Sequence, residues 1–239
     1  MNEPIIAEWT EKPWNPVTGC SKVSSGCLNC YAEKLAITLQ SWGNPRYRNG
    51  FTLTLHEDLL DAPVHWKKPQ RIFTCSMSDL FHPDIPKSFL FQVFATMRRC
   101  HHHTFLILTK RSRQLAILSP EIEWPENIWM GVTVEEGRYN DRIDDLKTTG
   151  AIHKFISAEP LLSDLGPINL TGIDWIFVGG ESGKNARSVQ EAWIINIRDQ
   201  CHDQGVMFTF KQWGGRFRKR NGSLLQGNYY HEMPPVMRD

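Results

Sequence analysis

Long hydrophobic runs are missing from this 239-residue sequence, and so is any excess of charge of one sign. No apolar stretch approaches the ~20 residues that a membrane-spanning helix needs, so no membrane partner is expected. The opening MNEPIIAEWTEK has no basic segment followed by an apolar one, and a secretory signal is not expected. With 27 Lys and Arg against 26 Asp and Glu the formal net charge is +1, too small for broad electrostatic capture of nucleic acid or a membrane. Tandem repeats and low-complexity tracts are absent too. What remains has an ordinary balance, 41% hydrophobic and 22% charged, and reads as a cytoplasmic globular protein. A chain of this length buries enough core to fold without disulfide staples. In a reducing compartment its cysteines become candidates for metal or redox chemistry.

Short apolar runs rich in β-branched and aromatic residues recur at 71–76, 104–110, 128–134, 153–159, 174–180 and 206–212. Each reads as a buried strand. Helical spacing follows several of them. PKSFLFQVFATMRRC opens on proline and repeats apolar residues at three- and four-residue steps. EEGRYNDRIDDLKTTG is polar on most faces and reads as an exposed helix. SVQEAWIINIRDQCHDQG offers Ser188 as a cap and ends at Gly205. Near the start, WTEKPWNPVTG reads as a further strand, YAEKLAITLQSWG as a helix and LHEDLLDAPVHWKK as a short helix. Strand–helix alternation of this kind predicts an α/β fold with a parallel sheet, a complete or partial barrel of about six to seven units. The barrel is expected over residues 1–215, with an irregular tail over 216–239 packed on it.

The strand ends share a pattern. The apolar runs finish in SMSD (76–79), TKR (109–111), TVEE (133–136), SAEP (157–160), GGESG (179–183) and KQWGG (211–215). Loops are polar in any protein, but charges directly after so many buried strands point to one rim. In parallel α/β folds ligands bind outside the carboxyl ends of the strands.

Cys20, Cys27 and Cys30 stand in GCSKVSSGCLNCYAEK, spaced C-x6-C-x2-C, on the loop after the first expected strand. Thiolates suit zinc or iron–sulfur clusters. A structural zinc site needs four ligands, and no fourth has paired spacing: Cys75 is single, His56 and His65 are isolated, and the CHHH run at 100–103 reads as a helix end. Three thiols without a fourth suggest a [4Fe–4S] cluster with one iron left open. Gly19 and Gly26 would let the backbone fold tightly around it.

A three-cysteine loop after the first strand of a βα barrel, closing in C-x2-C, resembles the radical S-adenosylmethionine (radical SAM) superfamily. More narrowly, WTEKPWNPVTGCSKVSSGCLNCYAE, SMSDLFH, LTKR, GVTVE, SAEPLL, GGESG and KQWGG resemble a phage-associated family of unknown function, from about residue 9 to residue 234. That family is placed in the superfamily by its cysteine motif. The superfamily spacing is C-x3-C-x2-C; here the first gap is six, and Asn29 occupies the usual aromatic position, with Tyr31 following. SMSD replaces the common Gly-Gly-Glu after the second strand, and a GGE stands instead at 179–181.

The resemblance implies that Cys20, Cys27 and Cys30 hold three irons while the fourth binds the amino and carboxylate groups of SAM. An electron from an external donor would then cleave the sulfonium to a 5′-deoxyadenosyl radical. On that reading Ser76, Ser78 or Asp79 would take the SAM amino group, and Thr109, Lys110 and Arg111 its carboxylate. Glu159 and Glu181 would hold ribose or substrate, and Lys211 and Gln212 would face the substrate or help release a proton, which makes Glu159, Lys211 and Gln212 the candidate catalytic residues. The substrate is unknown. Arg216, Arg218, Lys219 and Arg220, beside Trp213 and Phe217, make nucleic acid or a nucleotide one candidate. Two other classes stay open: a non-catalytic zinc- or cluster-binding module on the same thiols, and a barrel hydrolase using Glu159 and Glu181.

Overall fold

The computed structural model describes residues 12–235. The start of the expected first strand, before Lys12, and the outer ends of the expected barrel and tail lie outside the described residues.

Seven parallel strands form one curled sheet. They are β1 (Lys12–Trp14), β4 (Arg71–Thr74), β5 (Thr104–Thr109), β6 (Ile128–Thr133), β7 (His153–Ala158), β8 (Trp175–Gly179) and β9 (Met207–Gln212), neighbouring in sequence order. Among the described strands β1 and β9 are the edges and do not pair with each other, so the sheet is a half-barrel. A separate antiparallel ribbon joins β2 (Val17–Thr18) to β3 (Thr54–Leu55). All six internal apolar runs of the sequence are strands. The run before the cysteines divides into β1 and β2, because Asn15 and Pro16 interrupt it.

Among the described residues six α-helices accompany the strands: α1 (Tyr31–Ser41), α2 (Lys87–Arg99), α3 (Ser112–Leu118), α4 (Asp141–Lys147), α5 (Glu191–Gln204) and α6 (Arg218–Asn221). Three sequence expectations change. The segment expected as a short helix before β4 folds as two 3-10 turns, Glu57–Leu59 and Ala62–His65, with Pro63 at the start of the second. Helix α5 starts at Glu191 with Gln190 in the cap position, so Ser188 lies outside it. Helix α4 is not an exposed helix: Arg142, Ile143 and Leu146 are buried, and Arg142 is drawn inward by an ion pair.

The alternation of the strands sorts two cores. Outward residues such as Ile107, Met130, Ile156, Val178 and Phe210 join the large cluster under the helices. To it α2 contributes Phe89, Leu90, Val93, Phe94 and Met97, each burial contributing about 1.5–3 kcal/mol. Inward residues Leu106, Trp129, Phe155, Trp175 and Phe177 form a second cluster in the half-barrel. Gly131 is needed there: a Cβ on it would come within 2.4 Å of the Phe155 ring. These rings plug the lower half-barrel. Nearer the strand ends the inward positions shrink to Thr133 and Ser157, and the interior opens. No helix among the described residues is long and apolar enough to cross a membrane.

Candidate functional site

A cavity of about 730 Å³ opens at the carboxyl ends of the strands. Its walls follow from the two-residue stride of a strand. Trp129, Gly131 and Thr133 lead to Glu135; Phe155 and Ser157 lead to Glu159; Trp175, Phe177 and Gly179 lead to Glu181; Thr209 leads to Lys211; Leu106 and Leu108 lead to Lys110. The rim charges are thus in phase with the inward apolar residues. Phe73, Leu108 and Phe177 give the cavity an apolar floor.

Cys20, Cys27 and Cys30 all line this cavity, and all three are free thiols. Gly19, at φ +80°, carries the chain out of β2. Its N–H donates to the Met77 carbonyl at 2.9 Å, and its own carbonyl accepts from Ser78 Oγ at 2.5 Å. A Cβ there would lie 2.3 Å from the Thr52 carbonyl oxygen, so only glycine fits. The Cys20 N–H donates to the Phe51 carbonyl at 3.2 Å. Cys27 closes a 3-10 turn, Ser25–Cys27, and Cys30 caps the amino end of α1.

The far half of the loop is held by carboxylates from strand ends. Ser24 donates to Glu135 and Ser25 to Glu136. Glu135 is fully buried and accepts from Arg142 Nη1 at 2.6 Å. Glu181 takes a two-pronged contact from Arg187, whose Nε and Nη2 lie at 2.9 and 2.5 Å. It also accepts from Asn29 Nδ2 at 3.0 Å, while Arg187 reaches the Ser25 carbonyl at 3.0 Å. Burial would raise the Glu181 pKa, but the hydrogen bonds from Arg187 and Asn29 outweigh it and hold the group below its ordinary value.

Beside Cys20 stands a second knot. Asp79 Oδ1 accepts from Thr109 Oγ1 at 2.7 Å and the Phe81 N–H at 3.0 Å; Oδ2 accepts from the Lys110 N–H at 3.1 Å. Arg111 lies 3.8 Å from Asp79 and donates to the Ser21 carbonyl at 3.0 Å and hydroxyl at 2.8 Å. Burial pushes the Cys20 thiol pKa up, Asp79 adds to the rise and Arg111 opposes it. On the opposite wall Glu159 accepts from Lys211 Nζ at 2.6 Å and Gln212 Nε2 at 2.7 Å, and Gln212 also reaches Ser182 Oγ at 3.1 Å.

Of the residues singled out in the sequence, Cys20, Cys27, Cys30, Ser76, Ser78, Asp79, Thr109, Lys110, Glu159, Glu181, Lys211 and Gln212 line the one cavity. Arg111 does not, and instead braces Ser21 next to Cys20. Arg142 and Arg187 escaped the sequence reading, Asn29 was noticed only as a departure from the superfamily motif, and Glu135 and Glu136 only as a rim group. The partner of Asn29 is remote in the chain, whereas Arg142 and Arg187 lie seven and six residues from theirs, at spacings that no motif marks. Glu159 and Glu181 accept at both oxygens from the protein's own donors.

The three thiols are soft donors of the kind that zinc or an iron–sulfur cluster takes. Three unpaired thiols face one cavity on a loop pinned at both ends, and Gly26 is packed so closely that a Cβ would lie 2.5 Å from Glu135 Oε1. Among the described residues no group of three or more His, Cys, Asp or Glu stands together so as to hold a metal ion.

A family model described as "Protein of unknown function (DUF5131)" matches residues 5–234. No curated protein and no solved structure matches the chain. The chain therefore belongs to this uncharacterised family, which covers nearly its whole length.

Proposed function

For this member of an uncharacterised family we propose a radical SAM-type enzyme that binds a [4Fe–4S] cluster through Cys20, Cys27 and Cys30. The observation that carries the reading is the shared cavity: three free thiols and the polar ends of six parallel strands line one space above an apolar floor. The finer assignments rest on the motif resemblance, and the family itself contributes no activity.

When bound, the cluster and SAM supply one-electron cleavage of the sulfonium and a 5′-deoxyadenosyl radical. The chain's own residues hold and shield the reactants. Lys110 lines the cavity and makes no ion pair among the described residues, so it is free to take the SAM carboxylate. Ser76 and Ser78 each donate their hydroxyl hydrogen to the protein, to Asn15 and Gly19. Their oxygens keep lone pairs able to accept from an ammonium group. Asp79 orders Thr109 and the Lys110 backbone. Arg111 keeps Ser21 and the Cys20 end of the loop in place. Glu159, Lys211 and Gln212 face the substrate side as one hydrogen-bonded unit.

The test is anaerobic reconstitution with iron and sulfide. About four of each per chain are expected, as a [4Fe–4S] cluster requires, followed by SAM-dependent formation of 5′-deoxyadenosine. Cys20→Ala, Cys27→Ala and Cys30→Ala should each lose the cluster. Cys100→Ala and Cys201→Ala should keep it, because both thiols are buried among the helices. Stoichiometric zinc without iron uptake would overturn the proposal.

A further inference from the structure

The basic run after β9 is divided by the structure. Arg218 and Lys219 line the cavity, whereas Arg216 and Arg220 do not, and the Arg216 guanidinium lies 5.4 Å over the Phe217 ring. What brings the first pair to the cavity is a continuation of the sheet beyond its strands. The Gly180 N–H donates to the Gln212 carbonyl at 2.9 Å, the Gly215 N–H to the Glu181 carbonyl at 2.7 Å, and the Gly183 N–H to the Gly215 carbonyl at 3.1 Å. Only glycines permit this approach. A Cβ on Gly180 would lie 2.1 Å from the Trp213 carbonyl oxygen, and one on Gly214 would lie 2.2 Å from the Glu181 carbonyl oxygen. GGESG and KQWGG therefore zip backbone to backbone, and the chain that follows is delivered to the mouth as α6.

The charge balance there is one-sided. The carboxylates lining the cavity, Asp79, Glu159 and Glu181, are engaged by Arg111, Lys211 and Arg187. Arg218 and Lys219 are exposed and make no ion pair among the described residues. Tyr229 lines the same cavity, its ring stacked on His231 at 5.5 Å. Two exposed cations without acidic partners among the described residues, at the mouth of a cavity that an aromatic ring also lines, suit a phosphate, and a nucleotide is the phosphate ester whose base such a lining would accept.

We infer that Arg218 and Lys219 form a phosphate-binding edge of the cavity, and that the substrate presented to it carries a nucleotide phosphate, free or within a single strand. The inference deepens the reading of the cavity as a reaction chamber, but its chemistry does not require the cluster.

The experiment is fluorescence anisotropy of a labelled short single-stranded DNA and RNA on the full chain, from low to moderate salt. Mononucleotide and inorganic phosphate serve as competitors. Arg218→Gln/Lys219→Gln should weaken binding at least ~10-fold and reduce the salt slope by about 1–2. Arg216→Gln/Arg220→Gln should stay within about twofold, although it removes the same formal charge. Displacement by mononucleotide identifies a nucleotide, displacement by oligonucleotide alone identifies a strand, and either result supports the inference. No binding of any phosphate probe, or equal losses from the two double variants, would overturn it. The series is repeated on Cys27→Ala. Phosphate binding there without iron uptake by the parent chain strikes only the cluster reading, whereas iron uptake by the parent chain without phosphate binding strikes only this inference.

Discussion

The two ends of the cysteine loop are anchored by different physics. The Cys20 end is fixed mainly by backbone: Gly19 bridges Ser78, and the Cys20 N–H meets the Phe51 carbonyl. The stretch from Ser24 to Asn29, around Cys27, is fixed by charge: Glu135, Glu136 and Glu181 reach it from the ends of β6 and β8. A backbone bridge does not respond to pH, while the clamp that Glu181 makes through Arg187 and Asn29 does. The strands can therefore hold three thiols facing one cavity while leaving one half of their loop adjustable. Each half has a residue whose replacement should hurt in its own way.

The largest effect is expected at Arg142. Its side chain and that of Glu135 are 6% and 0% exposed and 2.6 Å apart. Arg142→Met would leave the Glu135 charge buried without its cation. Breaking such a pair costs about 3–5 kcal/mol. The comparison variant is Arg111→Met on the Cys20 side. Arg111 is 3.8 Å from Asp79, which keeps Thr109, Phe81 and Lys110 as donors. About 1–2 kcal/mol is expected there, since the remaining hydrogen bonds compensate. Urea unfolding of the two variants at neutral pH decides it, and equal losses would show that the two halves are not held differently.

This ion pair also shows where sequence reading stops. The six internal strands were legible because each is a short β-branched and aromatic run, and the rim groups because charge follows each run at once. Periodicity also located α1, α2 and α5, though not the cap of α5. Arg142 was hidden: on a helix polar on most faces nothing distinguishes an inward arginine from a solvated one, and its partner belongs to another element. Asn29 and Glu181 are 152 positions apart, and only the folded sheet brings them to 3.0 Å. Helix α3, over SRQLAIL, is too short for its periodicity to stand out. In LHEDLLDAPVHWKK proline and short length favoured 3-10 turns over the helix its apolar spacing suggested. The side chains facing the cavity were largely readable, whereas the partners that fix the loop were not.

A middle-sized effect separates the two glycines. Gly19→Ala would put a Cβ 2.3 Å from a backbone oxygen at φ +80°. Backbone cannot swing away, so left-handed strain and overlap together should cost about 2–3 kcal/mol. Gly26→Ala meets the side chain of Glu135, 2.5 Å away, which Ser24 and Arg142 restrain but do not fix rigidly. About 1–2 kcal/mol is expected, as for a modest overpacking. The same denaturation series ranks them, and iron uptake should fall in both because each displaces a part of the thiol loop. A larger loss at Gly26 than at Gly19 would reverse the assignment of the stiff and the adjustable half.

The smallest effect is the most diagnostic, because it depends on pH. Glu181 is held below the ordinary glutamate value of 4.5 by Arg187 and Asn29. A carboxylate whose folded pKa is depressed stabilises fully above its unfolded value and loses that contribution as pH falls through the folded one. The 24–29 half of the loop should therefore keep its protection through neutral and mildly acidic pH and open only below the ordinary glutamate range. The backbone-held bridge at Gly19 should not respond in that window. Glu181→Gln preserves shape but removes the charge that Arg187 pairs with, so a local loss of about 1 kcal/mol is expected at neutral pH. The pH dependence contributed by Glu181 should vanish from this half of the loop. Amide hydrogen exchange resolved over residues 19–30, compared between parent chain and variant, reads both halves in one experiment. Identical pH profiles for the two halves in the parent chain, or an unchanged profile in Glu181→Gln, would show that the clamp is not electrostatic.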